Sequence, residues 1–198
     1  MNFKVAAKRR LLCIDLENRP LAYWYDGNPT SQITAFGWKW SDERRPHTLL
    51  LQPDGSWVDD AGIPESTERA YQVFTAELAC AGLVFGHNIR RHDLPMLNAW
   101  LMRQGLPLLR PMLTCDTYKD LPRTAGVSRS LENMAAIYDL PGSKVRMTQP
   151  DWEQANQLQP LGVDKARRRV AGDVVLQERL RKRLLELRLL RTPRVWAP

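Results

Sequence analysis

The segment Leu11-Leu12-Cys13-Ile14-Asp15-Leu16-Glu17 ends an apolar run in two carboxylates. Such a run reads as a buried strand. Strand side chains alternate with period two, so Asp15 and Glu17 leave the same face. Two like charges on one face of a core strand repel each other and lose hydration. Two arrangements relieve this: a solvated turn at the strand end, or a divalent cation. Hard carboxylate oxygens suit Mg²⁺ or Mn²⁺.

Composition narrows the classes. The chain has 198 residues, 43% hydrophobic and 26% charged, which suits one globular domain over 1–198 with a full core. No apolar stretch approaches the roughly 20 residues that span a bilayer. The basic start, Met1 to Arg10, has no signal-peptide pattern. Cys13, Cys80 and Cys115 form no CxxC pair. Their spacing argues against a zinc knuckle and for a reducing, cytoplasmic location. The net charge is +7 and the pI about 9.6. Many of the bases load the C-terminal end, at Arg167 to Arg169, Arg179, Arg181, Lys182, Arg183, Arg188, Arg191 and Arg194. A basic balance favours a polyanionic partner such as nucleic acid, although a solvated amphipathic face accounts for the same residues.

Hydrophobic periodicity predicts strands at Leu11 to Leu16, Ile33 to Trp40 and His47 to Gln52, with Ser41 to Pro46 as a hairpin loop. A polar loop follows from Pro53 to Pro64. Ser66 or Thr67 caps a helix that stops at Gly82. Leu83 to Gly86 reads as a short strand, 94–104 as a helix, and Met112 to Cys115 as another strand. Ser130 caps a helix over Leu131 to Tyr138, and a final helix runs from Asp164 to about Leu190. The expected fold is α/β: an antiparallel first three strands, parallel later strands joined by right-handed crossovers, and flanking helices.

Two more acids stand out. Asp93 precedes Leu94-Pro95, where it serves as a helix N-cap or as a carboxylate facing the strand ends, the place where α/β sheets hold ligands. Asp173 precedes Leu176, Leu180, Leu184 and Leu187 by 3, 7, 11 and 14 residues. It therefore lies on the apolar stripe of the last helix and needs a cation partner: an Arg of that helix, or a metal. His87 and His92 form no HExxH, and there is no P-loop, GxGxxG or Gly-x-Ser-x-Gly. Trp24, Trp38, Trp40 and Trp57 lie near the N-terminal strands, as core residues or as platforms for unpaired bases.

The four acids, in this order, resemble the DnaQ-like 3′-5′ exonucleases, the DEDD group of the ribonuclease H-like superfamily. The likeness is greatest to the branch related to the exonuclease domain of B-family DNA polymerases. Ile14-Asp15-Leu16-Glu17 matches the first motif, Gly86-His87-Asn88 followed by Asp93 the second, and Ala171-Gly172-Asp173-Val174 the third. Thr114-Cys115-Asp116-Thr117 and Ser130-Leu131 also fit, and the resemblance runs from about Leu11 to Leu187. One departure is plain. Where the family places a Tyr four residues, or a His five residues, before the last Asp, this chain has Arg169 and Arg168. A guanidinium stays protonated and cannot serve as a general base. Tyr138 and His92 are candidate substitutes.

The resemblance implies metal-dependent 3′-5′ exonuclease activity on DNA or RNA with a free 3′ end. Asp15 would bridge two Mg²⁺ or Mn²⁺ ions roughly 4 Å apart, Glu17 and Asp173 would complete one ion's site, and Asp93 would hold the other. His87, Asn88 and Arg169 would contact the nucleic acid, and the setting would be phage or bacterial DNA replication or repair. Two alternatives stay open: a weakly active or inactive nucleic-acid-binding member of the fold, and a structure-specific endonuclease on it.

Overall fold

A computed structural model of the protein describes residues 10–21, 30–122 and 126–198. The first apolar run forms β1 (Leu11–Leu21), which continues past the expected end at Leu16. It does so because a register shift between Glu17 and Asn18 lets residues 18–21 go on pairing with β2 (Thr30–Trp40). The hairpin expected at 41–46 joins β2 to β3 (His47–Leu51), also antiparallel. The segment read as a polar loop instead adds two short strands, β4 (Trp57–Asp59) and β5 (Pro64–Glu65), to that edge. Trp57 explains the difference: its ring is buried and stacks 4.9 Å from Phe36, which pulls its stretch of chain onto the sheet.

The rest alternates as expected, through α1 (Thr67–Cys80), β6 (Leu83–Gly86), α2 (Asp93–Arg103), β7 (Met112–Asp116) and α3 (Leu131–Ile137). Three elements then differ from the sequence reading. A short helix, α4 (Gln149–Asn156), was not anticipated; a capping box between Thr148 and Asp151 starts it. The last helix, α5 (Pro160–Glu186), begins earlier than Asp164 because Pro160 fits a first helical turn, where no N–H is needed. A last short strand, β8 (Arg194–Trp196), lies antiparallel on β7.

The sheet order is β5-β4-β3-β2-β1-β6-β7-β8. β6 runs parallel to β1 and β7 parallel to β6, so the mixed sheet expected from the sequence is present, with antiparallel strands added at both edges. Both faces of β2 are buried. Gly37 and Lys39 face α5, where Lys39 pairs with Glu178 at 2.7 Å. Phe36 and Trp38 face α1 and pack on Phe74. Trp38, Trp40 and Trp57 are thus core residues rather than base platforms. Trp24 and the basic segment before Arg10 lie outside the described residues. Among the described residues all three cysteines are free thiols, and no helix is long and apolar enough to cross a membrane.

Candidate metal centre

The parallel ladder between β1 and β6 ends at Cys13 opposite Phe85. Asp15 and Glu17 lie just beyond it, in the crevice past the carboxyl ends of the parallel strands. With Cys13 they share the β1 face that looks toward α5. The close seat of α5 on β2 brings Asp173 over them: a Cβ on Gly37 would stand 2.6 Å from Val170 Cγ2. Asp15, Glu17 and Asp173 each offer a carboxylate oxygen, and these oxygens lie within 4.8 Å of one another. Gln177, one turn after Asp173, donates from Nε2 to Asp15 Oδ1 at 2.8 Å, and its Oε1 faces the Cys13 thiol at 3.6 Å. The side chain of Gln177 thereby fixes which way the Asp15 carboxylate points.

Two cations complete the cluster. Arg169 Nε lies 2.6 Å from Glu17 Oε1, its Nη1 donates to the Val145 carbonyl at 2.9 Å, and its guanidinium sits 5.0 Å from the Trp152 ring centroid. Lys144 Nζ lies 2.8 Å from Asp173 Oδ2. The alternative partner expected for Asp173, an Arg of its own helix, is therefore corrected. Lys144 comes from the segment ahead of α4, and the helical Arg169 turns to Glu17 instead. Asp173 is 1% exposed, and its other oxygen, Oδ1, is buried with no hydrogen-bond partner among the described residues. That orphaned acceptor is what a bound cation would satisfy, and the three carboxylates are the oxygen donors that Mg²⁺ or Mn²⁺ take. The acids can bind a metal.

Electrostatics agree. Burial lifts the Asp15 carboxyl well above the usual carboxylate range, and the charges of Asp173, Asp93 and Glu17 lift it further. Burial also raises Glu17 against the pull of Arg169, and Asp173 against the pull of Lys144. A cation at the centre would reverse all three shifts.

Asp93 is not the helix cap. The cap position falls on His92, whose side chain makes no cap bond, and Asp93 opens α2 as its first residue. It is 3% exposed, and its Oδ1 accepts the Leu16 N–H at 2.9 Å, which ties α2 to β1 between Asp15 and Glu17. It adds charge beside Asp15 but stands outside the set of oxygens within 4.8 Å. His92 has Nδ1 3.6 Å from Asp93 Oδ2 and an exposed ring. Tyr138 instead packs on the Leu121, Leu131 and Leu180 cluster.

His87 and Asn88 occupy the turn after β6. His87 Nδ1 meets Thr117 Oγ1 at 2.9 Å, and burial lowers the ring's pKa to about 4, so it is neutral at neutral pH. Its Nε2, like Asn88 Oδ1, is buried with no partner among the described residues. Asn88 has a φ of 71°, a left-handed conformation that Asn tolerates. The fully buried Asp116 holds this turn by accepting the N–H groups of Asn88, Arg90, Tyr118 and Lys119 at 2.9 to 3.1 Å. On α5, Arg181 places its guanidinium 4.9 Å from the Phe85 centroid and Arg183 pairs with Glu186, so this stretch is not a free row of cations.

Sequence reasoning missed Lys144, Gln177 and Trp152. Gln177 had a signal, because it lies four residues after Asp173 on the same stripe. Lys144 and Trp152 had none.

No family model and no curated protein matches the chain. Among solved structures, it is similar to the family B DNA polymerase from the hyperthermophilic archaeon Pyrobaculum calidifontis. The TM-score is 0.60 and the identity 18%, over 90% of this chain and 25% of that one. The chain thus spans about a quarter of the length of that polymerase. At this identity the likeness concerns the fold alone, a mixed α/β sheet flanked by helices.

Proposed function

We propose that the chain is a metal-dependent 3′-5′ exonuclease acting on nucleic acid, DNA in the first place. One observation carries this reading: three carboxylates within 4.8 Å of one another at the crevice of the sheet, one of them with a buried oxygen that lacks a partner among the described residues. The fold shared with a DNA polymerase supports it. Asp15, Glu17 and Asp173 hold Mg²⁺ or Mn²⁺, with Asp93 beside them, and such ions activate water and stabilise charge on the leaving oxygen. Gln177 orients Asp15. Asp93 fixes the β1 backbone at Leu16. His87 and Asn88, held by Thr117 and Asp116, shape the turn after β6, and their unpartnered Nε2 and Oδ1 atoms are buried within it. Arg169 and Lys144 supply positive charge for phosphate.

The Arg169 contact with Glu17 favours a second reading, a nucleic-acid-binding protein without hydrolysis, since Arg169 fills the position of the family's tyrosine and cannot take a proton. A test with 5′-labelled single-stranded and duplex DNA in Mg²⁺ or Mn²⁺ separates these readings. Progressive shortening from the 3′ end, lost in Asp173→Ala, is the expected result. Internal cuts would make the protein an endonuclease. Metal-independent binding with intact DNA would establish the second reading.

A further inference from the structure

At the end of the sheet away from the acids lies an apolar groove of about 790 Å³. One wall is the outer face of α1, where Gln72, Thr75, Ala76 and Ala79 recur at helical spacing. Gln72, Ala76 and Ala79 are exposed, yet none of the four is charged, whereas the solvent face of a helix ordinarily carries charge. The other wall is the connection from α2 to β7, Leu106-Pro107-Leu108-Leu109-Arg110-Pro111. Ala81, just before β6, and Met112, the first residue of β7, also line the groove. It therefore sits at the amino ends of the parallel strands, and the acids lie past their carboxyl ends.

The second wall is held in place. The Leu109 N–H donates to Asn98 Oδ1 of α2 at 2.9 Å, and the Leu106 N–H to the Leu101 carbonyl at 2.9 Å. Two prolines restrict the short connection further. Leu109 is buried by this arrangement, while Leu108 beside it stays 49% exposed. A preformed apolar groove with an exposed leucine on its wall is a surface that partners cover.

Charge tells which partner. Arg110 is the one charged residue among the described residues that line the groove. It is exposed and makes no ion pair among the described residues. An occupant that covers the leucines must be apolar, and one that answers Arg110 must carry an acid. The +7 charge of the chain steers the same kind of partner. Thr75, Ala76 and Ala79 are small, which lets a second helix lie close along α1. From Gln72 to Ala79 the wall runs about 10 Å by helical rise, room for about two turns.

We propose that the groove docks a short amphipathic helix of a partner protein, with apolar side chains on one face and an acidic residue placed to meet Arg110. Groove and acids lie at opposite ends of the sheet, so a partner held in one leaves the other open, and docking stands or falls apart from nuclease activity.

Fluorescence anisotropy on the full chain tests this, with a labelled synthetic helix of about three turns that carries leucine along one face and aspartate along the other. This helix should bind, and its twin with lysine in place of aspartate should bind at least about tenfold more weakly. Arg110→Glu should reverse that preference. Leu108→Ser and, from the opposite wall, Ala76→Gln should each weaken binding about tenfold, the order of magnitude for one buried leucine side chain. Both positions are exposed, and either variant suffices if the other does not fold by circular dichroism. No binding of the acidic helix, equal binding of the two helices, or unchanged affinity in the folded variants would overturn the proposal. Self-association in sedimentation that Leu108→Ser abolishes would overturn it too, by giving the groove to a second copy of the chain. Binding of dodecanoate without binding of the helix would give it to a small amphipathic anion instead.

Discussion

At the scale of single residues, Asp15 is the carboxylate that burial and its acidic neighbours both push upward. Burial and three neighbouring acids raise its pKa in the folded chain, whereas an unfolded chain restores the ordinary carboxylate value. A group raised in this way favours folding when protonated. Its contribution is present in full below the unfolded value, near pH 4, and is lost as pH rises through the folded one. Glu17 and Asp173 shift in the same direction. In a chelator, thermal stability should therefore climb as pH falls from 8 toward 5. Asp15→Asn keeps an oxygen for the Gln177 amide and removes the charge. It should flatten the climb and raise the thermal stability of the metal-free protein at pH 7. Mn²⁺ binding should be lost in the same variant. A less stable Asp15→Asn in chelator would show that the carboxylate serves a structural ion pair.

At the scale of elements, the site depends on how closely α5 approaches the sheet. Gly37 makes that approach possible, since a Cβ there would meet Val170 Cγ2 at 2.6 Å and the Val170 carbonyl oxygen at 3.1 Å. Val170 lies within one turn of Asp173, so the contact that seats the helix also sets the height of the carboxylate above Asp15. Gly37→Ala should cost about 1–3 kcal/mol in urea unfolding, the usual range for forcing a methyl group into a packed interface. It should weaken Mn²⁺ binding as well, although residue 37 offers no ligand. Unchanged stability together with unchanged metal affinity would mean that α5 adjusts freely and does not set the site.

At the scale of the whole molecule, the +7 charge is not one uniform patch. Exposed Arg91 is two residues from Asp93, and exposed Arg146 is two residues from Lys144, so both lie close along the chain to residues of the cluster. Arg183 stands ten residues beyond Asp173 along α5, about 15 Å by helical rise, and Arg191 follows after the helix ends. Replacing Arg91 and Arg146 with Ala should weaken single-strand binding and lower the salt slope by roughly 0.7 to 0.9 for each lost phosphate contact. The Arg183 and Arg191 pair replaced in the same way should leave the slope near wild type. The opposite ranking would move the nucleic-acid path to the C-terminal end of α5.

β4, β5, α4 and β8 were not legible from the sequence, whereas the order of the longer strands and helices was, because their apolar runs have a matching length and period. So was the sharing of one face by Asp15 and Glu17, which follows from strand period alone, and the burial of Asp173, which follows from its place on the leucine stripe. The partners of these acids were not legible. Glu17 meets Arg169 across 152 positions, and Asp15 meets Gln177 across 162. Lys144 reaches Asp173 from a stretch with no regular structure and no periodic signal. Local reading left Asp93 either a helix cap or a carboxylate facing the strand ends, and packing makes it the acceptor for a strand N–H. Sequence patterns report which side of an element is apolar. Which charged group ends beside which is settled only when α5 docks on β1 and β2, because a buried carboxylate takes whatever cation the packed neighbours bring within reach.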